Sequence, residues 1–72
     1  MQRESQEAQI LRHIDTEGSI TSLEAFEHYR ITRLAARIHD IERHGTVIER
    51  EMVYTDNADG HPIRYTRYRR AN

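Results

Sequence analysis

Apolar and polar positions follow two different rhythms along this chain. From Ser5 to about Asp15, Ile10, Leu11 and Ile14 recur at the spacing of one helix face, and Ala8 continues the stripe. Glu4, Glu7 and Arg3 lie around the start of that helix. Thr16-Glu17-Gly18 interrupts the pattern, with Gly18 placed to cap the C-terminus. A second, shorter helix is predicted to end near His28 or Tyr29. Its start is marked by Thr21-Ser22-Leu23-Glu24, a spacing at which the Thr hydroxyl and the Glu carboxylate can each accept from the other residue's backbone N–H. Leu23 and Phe26, together with Ala25, are expected to face inward. Tyr29-Arg30-Ile31 reads as a turn, and Thr32 as the N-cap of a third helix. The apolar stripe of that helix is Leu34, Ala35, Ile38 and Ile41, and Gly45 stops it.

From Thr46 to Tyr54 the period shifts toward two, and the β-branched residues Thr46, Val47, Ile48 and Val53 appear. Asp56, Asn57, Asp59 and Gly60 mark a turn. Pro62 opens a return strand, where a missing N–H is tolerated, and Ile63 to Arg70 alternates again with Tyr65 and Tyr68 on opposite faces. The hairpin tip is expected at residues 55–61, and the last residues are expected to fray. Ser19 to Thr21 is too short to assign from its own residues. Three helices followed by a two-stranded hairpin make one α+β domain over residues 1–72, in the order of a winged helix-turn-helix; in that arrangement residues 19–21 form a short third strand against the hairpin.

The arrangement serves mainly to place one helix in the major groove of DNA with the hairpin, or wing, beside it. Here that helix is residues 32–44 and the wing is 46–70. Thr32, Arg33, Ala36 and Arg37 in its first turns are the candidates for base edges: an Arg fork fits guanine O6 and N7, and an Ala methyl can meet a thymine methyl. Arg30, Arg43 and His44 flank the helix where phosphates would pass, and Arg64, Arg67, Arg69 and Arg70 line the wing. Each has a plainer reading. Arg37, Asp40 and Arg43 stand at i,i+3 spacing and can neutralise one another on a solvated face. Charge on an edge strand also keeps it soluble and unpaired. For the four wing arginines phosphate contact is favoured, because no acid lies near them in the sequence after residue 61. Asp40 either accepts from a cytosine amine, holds an arginine in place or repels DNA. His44 also suits a helix C-terminus.

Composition sharpens this reading at two points. The net charge of −1 conceals a split: residues 1–29 carry two Arg against six acids (net −4), and residues 30–72 carry nine Arg against six (net +3). A DNA binder needs a basic face more than a basic total, and the split allows one. A pI of 6.5 nevertheless argues against a high-affinity monomer. All eleven basic residues are Arg, which a GC-rich coding sequence explains and which supplies planar bidentate donors throughout.

The run Ile20 to Ile48 resembles the small winged helix-turn-helix domains common in bacteriophage and prophage genomes. The matching positions are Ile20, Thr21, Leu23, Glu24, Ala25, Phe26, Ile31, Arg33, Leu34, Ala35, Arg37, Ile38, Asp40, Ile41, Gly45 and Ile48, and Tyr65-Thr66-Arg67-Tyr68 resembles the closing strand. The resemblance implies double-stranded DNA as partner and a role such as transcription regulation. Two positions depart from the pattern: Tyr29 stands where a glycine often makes the turn, and Thr46 where an aromatic residue precedes the second strand.

Other chemistries find little support. Asp56-Asn57-Ala58-Asp59-Gly60 faintly resembles a calcium loop but lacks the closing Glu. His13, His28, His39, His44 and His61 are scattered, so neither a metal nor another cofactor is expected. No nucleophile–base set, phosphate loop or carboxylate pair is visible, and the reading is a non-enzyme. The chain has no cysteine, no apolar run long enough for a bilayer, and an opening Met1–Gln9 unlike a signal peptide; the expectation is a cytoplasmic protein with no membrane partner. One small module makes few DNA contacts, so a homodimer or tandem sites are expected. The alternative class is a protein-interaction module that binds a host protein, motivated by the acid-rich front half and by Asp40.

Overall fold

A computed structural model of the protein describes residues 4–71. Element order is α1 (Gln6–Glu17), β1 (Ile20–Thr21), α2 (Ser22–Tyr29), α3 (Leu34–Arg43), β2 (Ile48–Asp56) and β3 (Pro62–Arg70). The three strands form an antiparallel sheet in the order β1-β3-β2. This is the expected α+β architecture, with the short third strand at Ile20–Thr21 within the expected 19–21. Arg3, expected beside the first helix, lies outside the described residues.

Local signals account for most boundaries. The Ser5 hydroxyl accepts from the Ala8 N–H at 3.1 Å and starts α1. The helix continues to Glu17, two residues beyond the expected Asp15. Gly18 then adopts φ 96°, and its N–H reaches the Ile14 carbonyl at 2.7 Å. The capping box of α2 forms in full, with Thr21 N–H to Glu24 Oε1 at 2.9 Å and Glu24 N–H to Thr21 Oγ1 at 3.2 Å. The hairpin turns at residues 57–61, more tightly than expected. There Asn57 Oδ1 accepts from the N–H groups of Asp59 (2.9 Å) and His61 (3.0 Å), the asparagine-type turn its residues suggest.

Ile10 and Ile14 of α1, Ala25 of α2, and Leu34, Ile38 and Ile41 of α3 meet Ile20, Ile48 and Tyr68 of the sheet in one core. Ile31 from the turn joins them. Fully burying an aliphatic side chain is worth about 1.5–3 kcal/mol, so this isoleucine-rich cluster is the main adhesive of a small molecule. The C-terminus is drawn into the fold. Ala71 N–H donates to the Val47 carbonyl at 2.9 Å, and Arg70 bonds Asp15 of α1 with two parallel contacts of 3.1 Å. These tie down residues that were expected to fray.

Four expectations are corrected. Leu23 is 66% exposed and Phe26 44%; Ala25 and the flanking Ile20 and Ile31 fill the space beneath α2, leaving these two outside. Ala35 is exposed, because Leu34, Ile38 and Ile41 already define a narrow inward stripe and Ala35 falls beyond its edge. Thr32 is not the N-cap of the third helix. Arg33 holds that position with no side-chain cap bond, since the turn uses Ile31 as a buried anchor and helical backbone starts only at Leu34. The left-handed residue of the turn is Arg30 (φ 58°), one position after Tyr29.

Candidate nucleic-acid interface

The stretch α2-turn-α3 presents the third helix on a fixed mount. At the turn, Arg30 N–H donates to the Phe26 carbonyl at 2.9 Å and Ile31 N–H to the Ala25 carbonyl at 3.2 Å, closing the end of α2. The buried Ile31 then pins the entry to α3. Tyr29, which occupies a position where glycine is common, has a structural use: its hydroxyl meets Nδ1 of the buried His13 at 2.8 Å, linking α2 to α1.

With Leu34, Ile38 and Ile41 inward, 100° per residue turns the side centred on Arg43, Ala36, His39 and Asp40 outward. His39 is exposed on this side and was not among the residues expected to meet DNA. Its i,i+4 spacing with Arg43 is the signal that places it there. Asp40 lies between two arginines, 3.4 Å from Arg37 and 3.7 Å from Arg43. Of its three suggested roles, holding an arginine in place is the one the geometry displays. Arg37 therefore sits on the flank of the helix, drawn toward Asp40. His44 at the helix end meets Glu7 of α1 at 3.0 Å, so its ring serves the α1–α3 junction.

The wing is joined to α3 by Arg50, whose guanidinium bonds both oxygens of Glu42 (2.8 and 3.0 Å) and lies over the Tyr68 ring at 5.6 Å. Hydrogen bonding from Arg50 holds the Glu42 carboxyl below its ordinary range. Register divides the wing arginines between two faces. Arg64 and Arg70 share the helix-side face with Tyr68, while Arg67 and Arg69 lie on the other face.

The wing arginines are not without acids in the folded chain. Arg67 (3.4 Å) and Arg69 both bond Glu51 across the hairpin, and Arg70 bonds Asp15. Three of the four therefore have acids beside them from distant parts of the sequence. Among the described residues, Arg30, Arg33 and Arg64 are the arginines with no carboxylate within ion-pair distance. Arg30 lies over the Phe26 ring at 5.4 Å. Two of these three flank the entry to α3, and the third is on the helix-side face of the wing.

Comparison with known families settles the kinship. A family model described as a winged helix-turn-helix domain matches residues 5–71. The chain belongs to the winged helix-turn-helix domain family. No curated protein and no solved structure matches it. Membership points to DNA as the partner of this winged helix.

Two other surface features border this region. A cleft between α1 and α2 is lined by Arg12, His13, Thr16, Glu17, Glu24, His28 and Tyr29. Among the described residues no three His, Cys, Asp or Glu side chains are placed to hold a metal ion together. A more apolar groove runs between the start of α2 and the wing, where Leu23 faces Ile63 and Tyr65 beside Arg64 and Arg67. Among the described residues no helix is long and apolar enough to cross a membrane.

Proposed function

We propose that this winged helix is a cytoplasmic DNA-binding regulator of transcription, of the kind found in phage and prophage genomes. The observation that carries the reading is the placement of the arginines that have no carboxylate partner among the described residues: Arg30 and Arg33 at the mouth of α3, and Arg64 on the wing. An arginine with no internal carboxylate can bond a phosphate without first breaking an ion pair. Thr32, Arg33 and Ala36 remain the candidates for base edges. Arg37 and Arg43 would act in the company of Asp40. Arg67, Arg69, Arg70 and His44 can join only by exchanging a protein partner for a phosphate.

The test is fluorescence anisotropy with mixed-sequence duplex DNA at about 50 and 200 mM salt, a range over which phosphate contacts change affinity strongly. Expected are binding at low salt that weakens as salt rises, and a uniform loss across sequences for Arg64→Ala. Absence of binding at both salt concentrations would refute the proposal.

A second reading has its own support. Leu23 and Phe26 form an exposed apolar patch on α2, continued by Ile63 and Tyr65 across the groove. Exposed apolar clusters of this kind mark protein contacts, and a winged helix can serve as the scaffold of a module that binds a host protein. Under that reading Leu23→Ser abolishes partner binding and DNA affinity is negligible at any salt concentration.

A further inference from the structure

The free edge of the wing has the pattern of a self-complementary strand. We infer that β2 pairs with β2 of a second copy of this chain, antiparallel about a two-fold axis at Val53. β2 is an outer strand of the sheet, since β1 and β3 lie on its one paired side. Its register with β3 runs unbroken from Ile48↔Arg70 to Asp56↔Pro62, so no bulge twists the open edge away. Its nine residues contain no Pro, no Lys and no Gly, and apart from β3 no element packs extensively against it. Edge strands are ordinarily blunted by such devices or by charge; β2 carries Glu49, Arg50, Glu51 and Asp56, so a second strand can pair with its open edge only in a register that keeps like charges apart.

Its side chains select the register. In antiparallel two-fold pairing, directly opposed residues share a sheet face. Centring on Glu51 sets Glu51 against its own copy, and centring on Arg50 does the same to Arg50. Centring on Val53 opposes Val53 to Val53, Met52 to Tyr54, Glu51 to Thr55, and Arg50 to Asp56, with the unlike pairs occurring twice. No like charges are opposed; centring on Met52 or Tyr54 also avoids them, but only the Val53 centre sets a base opposite an acid within the strand, Arg50 against Asp56. The apolar members at the centre are open to solvent in the monomer, with Met52 47% and Tyr54 72% exposed. Asp56 has no cationic partner among the described residues, and Arg50 binds Glu42 through its two terminal nitrogens, leaving its Nε–H for Asp56 of the second copy.

This symmetry has a geometric consequence. The two-fold axis of such a strand pair stands perpendicular to the sheet, so the helices of both copies lie on the same side of one continuous six-stranded sheet. Both α3 helices then face the same way in opposite senses, as a palindromic site requires. The pairing itself does not depend on DNA binding and is tested without DNA.

Analytical ultracentrifugation from about 5 to 500 µM, spanning the affinities of small interfaces, should show the mass rising from monomer toward dimer. Asp56→Arg, on an exposed strand end, should weaken the dimer about tenfold by setting like charges opposite each other twice, with an unchanged circular dichroism spectrum. Because the protein has no cysteine, Val53→Cys introduces a single thiol at the axis, and oxidation should link two chains there faster than in Ile63→Cys on β3. A monomer at every concentration would overturn the proposal. So would a dimer indifferent to Asp56→Arg that cross-links faster through Ile63→Cys, which would put the contact on the β3 edge.

Discussion

Asp40→Asn tests how this protein's own acids ration its arginines. The side chain sits on the outward side of α3 and holds both Arg37 and Arg43. Each phosphate neutralised steepens the dependence of log affinity on log salt by about 0.9. If only the unpaired Arg30, Arg33 and Arg64 contact phosphate, the wild-type slope is about −2.7, a loss of about 40-fold between 50 and 200 mM salt. Releasing Arg37 and Arg43 adds two cations, taking the slope to about −4.5 and the loss to about 500-fold over the same range. The fold should hardly notice. Exposed i,i+3 pairs contribute about 0.3–0.5 kcal/mol each, and removing an acid from the C-terminal half of a helix recovers part of that. The assay is anisotropy titration of one duplex at four or five salt concentrations, with urea unfolding as the control. Two results would refute the reasoning. A wild-type slope near −7 would mean that all eight candidate arginines already reach phosphate despite their internal partners. An unchanged slope in the variant would mean that the outward side of α3 does not face the backbone.

Other expectations concern stability and titration. Ile38→Ala removes a fully buried side chain from the centre of α3 and should cost about 2–5 kcal/mol in urea unfolding, a large fraction of the stability of so small a domain. Leu23→Ser should change stability by no more than about 0.5 kcal/mol, as for other exposed positions; a core-sized loss would contradict the outward placement of Leu23. Thr21→Ala removes half of the capping box and should cost about 1 kcal/mol in the same assay. The Glu42 carboxyl is held below its ordinary range by Arg50, so the stability it contributes is in place above the unfolded-chain value and is lost as pH falls through the lower folded value. Carboxyl NMR titration should show Glu42 returning to the ordinary range in Arg50→Gln.

The parts of the fold that could be read from sequence are those set by neighbours in the chain. The Thr21–Glu24 box, the Gly18 cap and the Asn57 turn each involve residues within five positions of one another, and their geometry follows from residue type. The sidedness of α2 did not follow. An eight-residue helix with Leu23, Ala25 and Phe26 offers more than one apolar direction, and the choice is made by Ile20 and Ile31, which lie outside the helix and share the core with Ala25. The pairing of the arginines was equally hidden. Arg70 meets Asp15 across 55 positions, and Glu51 meets Arg67 and Arg69 only because the hairpin register opposes Glu51 to Arg67. The third helix and the wing were therefore legible as the candidate site, whereas which of their cations remain unpaired was not.

Arg30 turns the chain with φ at 58°, a conformation that costs a residue bearing a Cβ about 1 kcal/mol relative to glycine. That position is thus pulled in two directions. A population of variants selected only for surviving heat should drift toward glycine or asparagine there. One selected for holding nucleic acid should keep the strained cation. Sequencing the two populations would show whether this turn is merely where the backbone bends or where the molecule accepts a less comfortable shape for the sake of a contact.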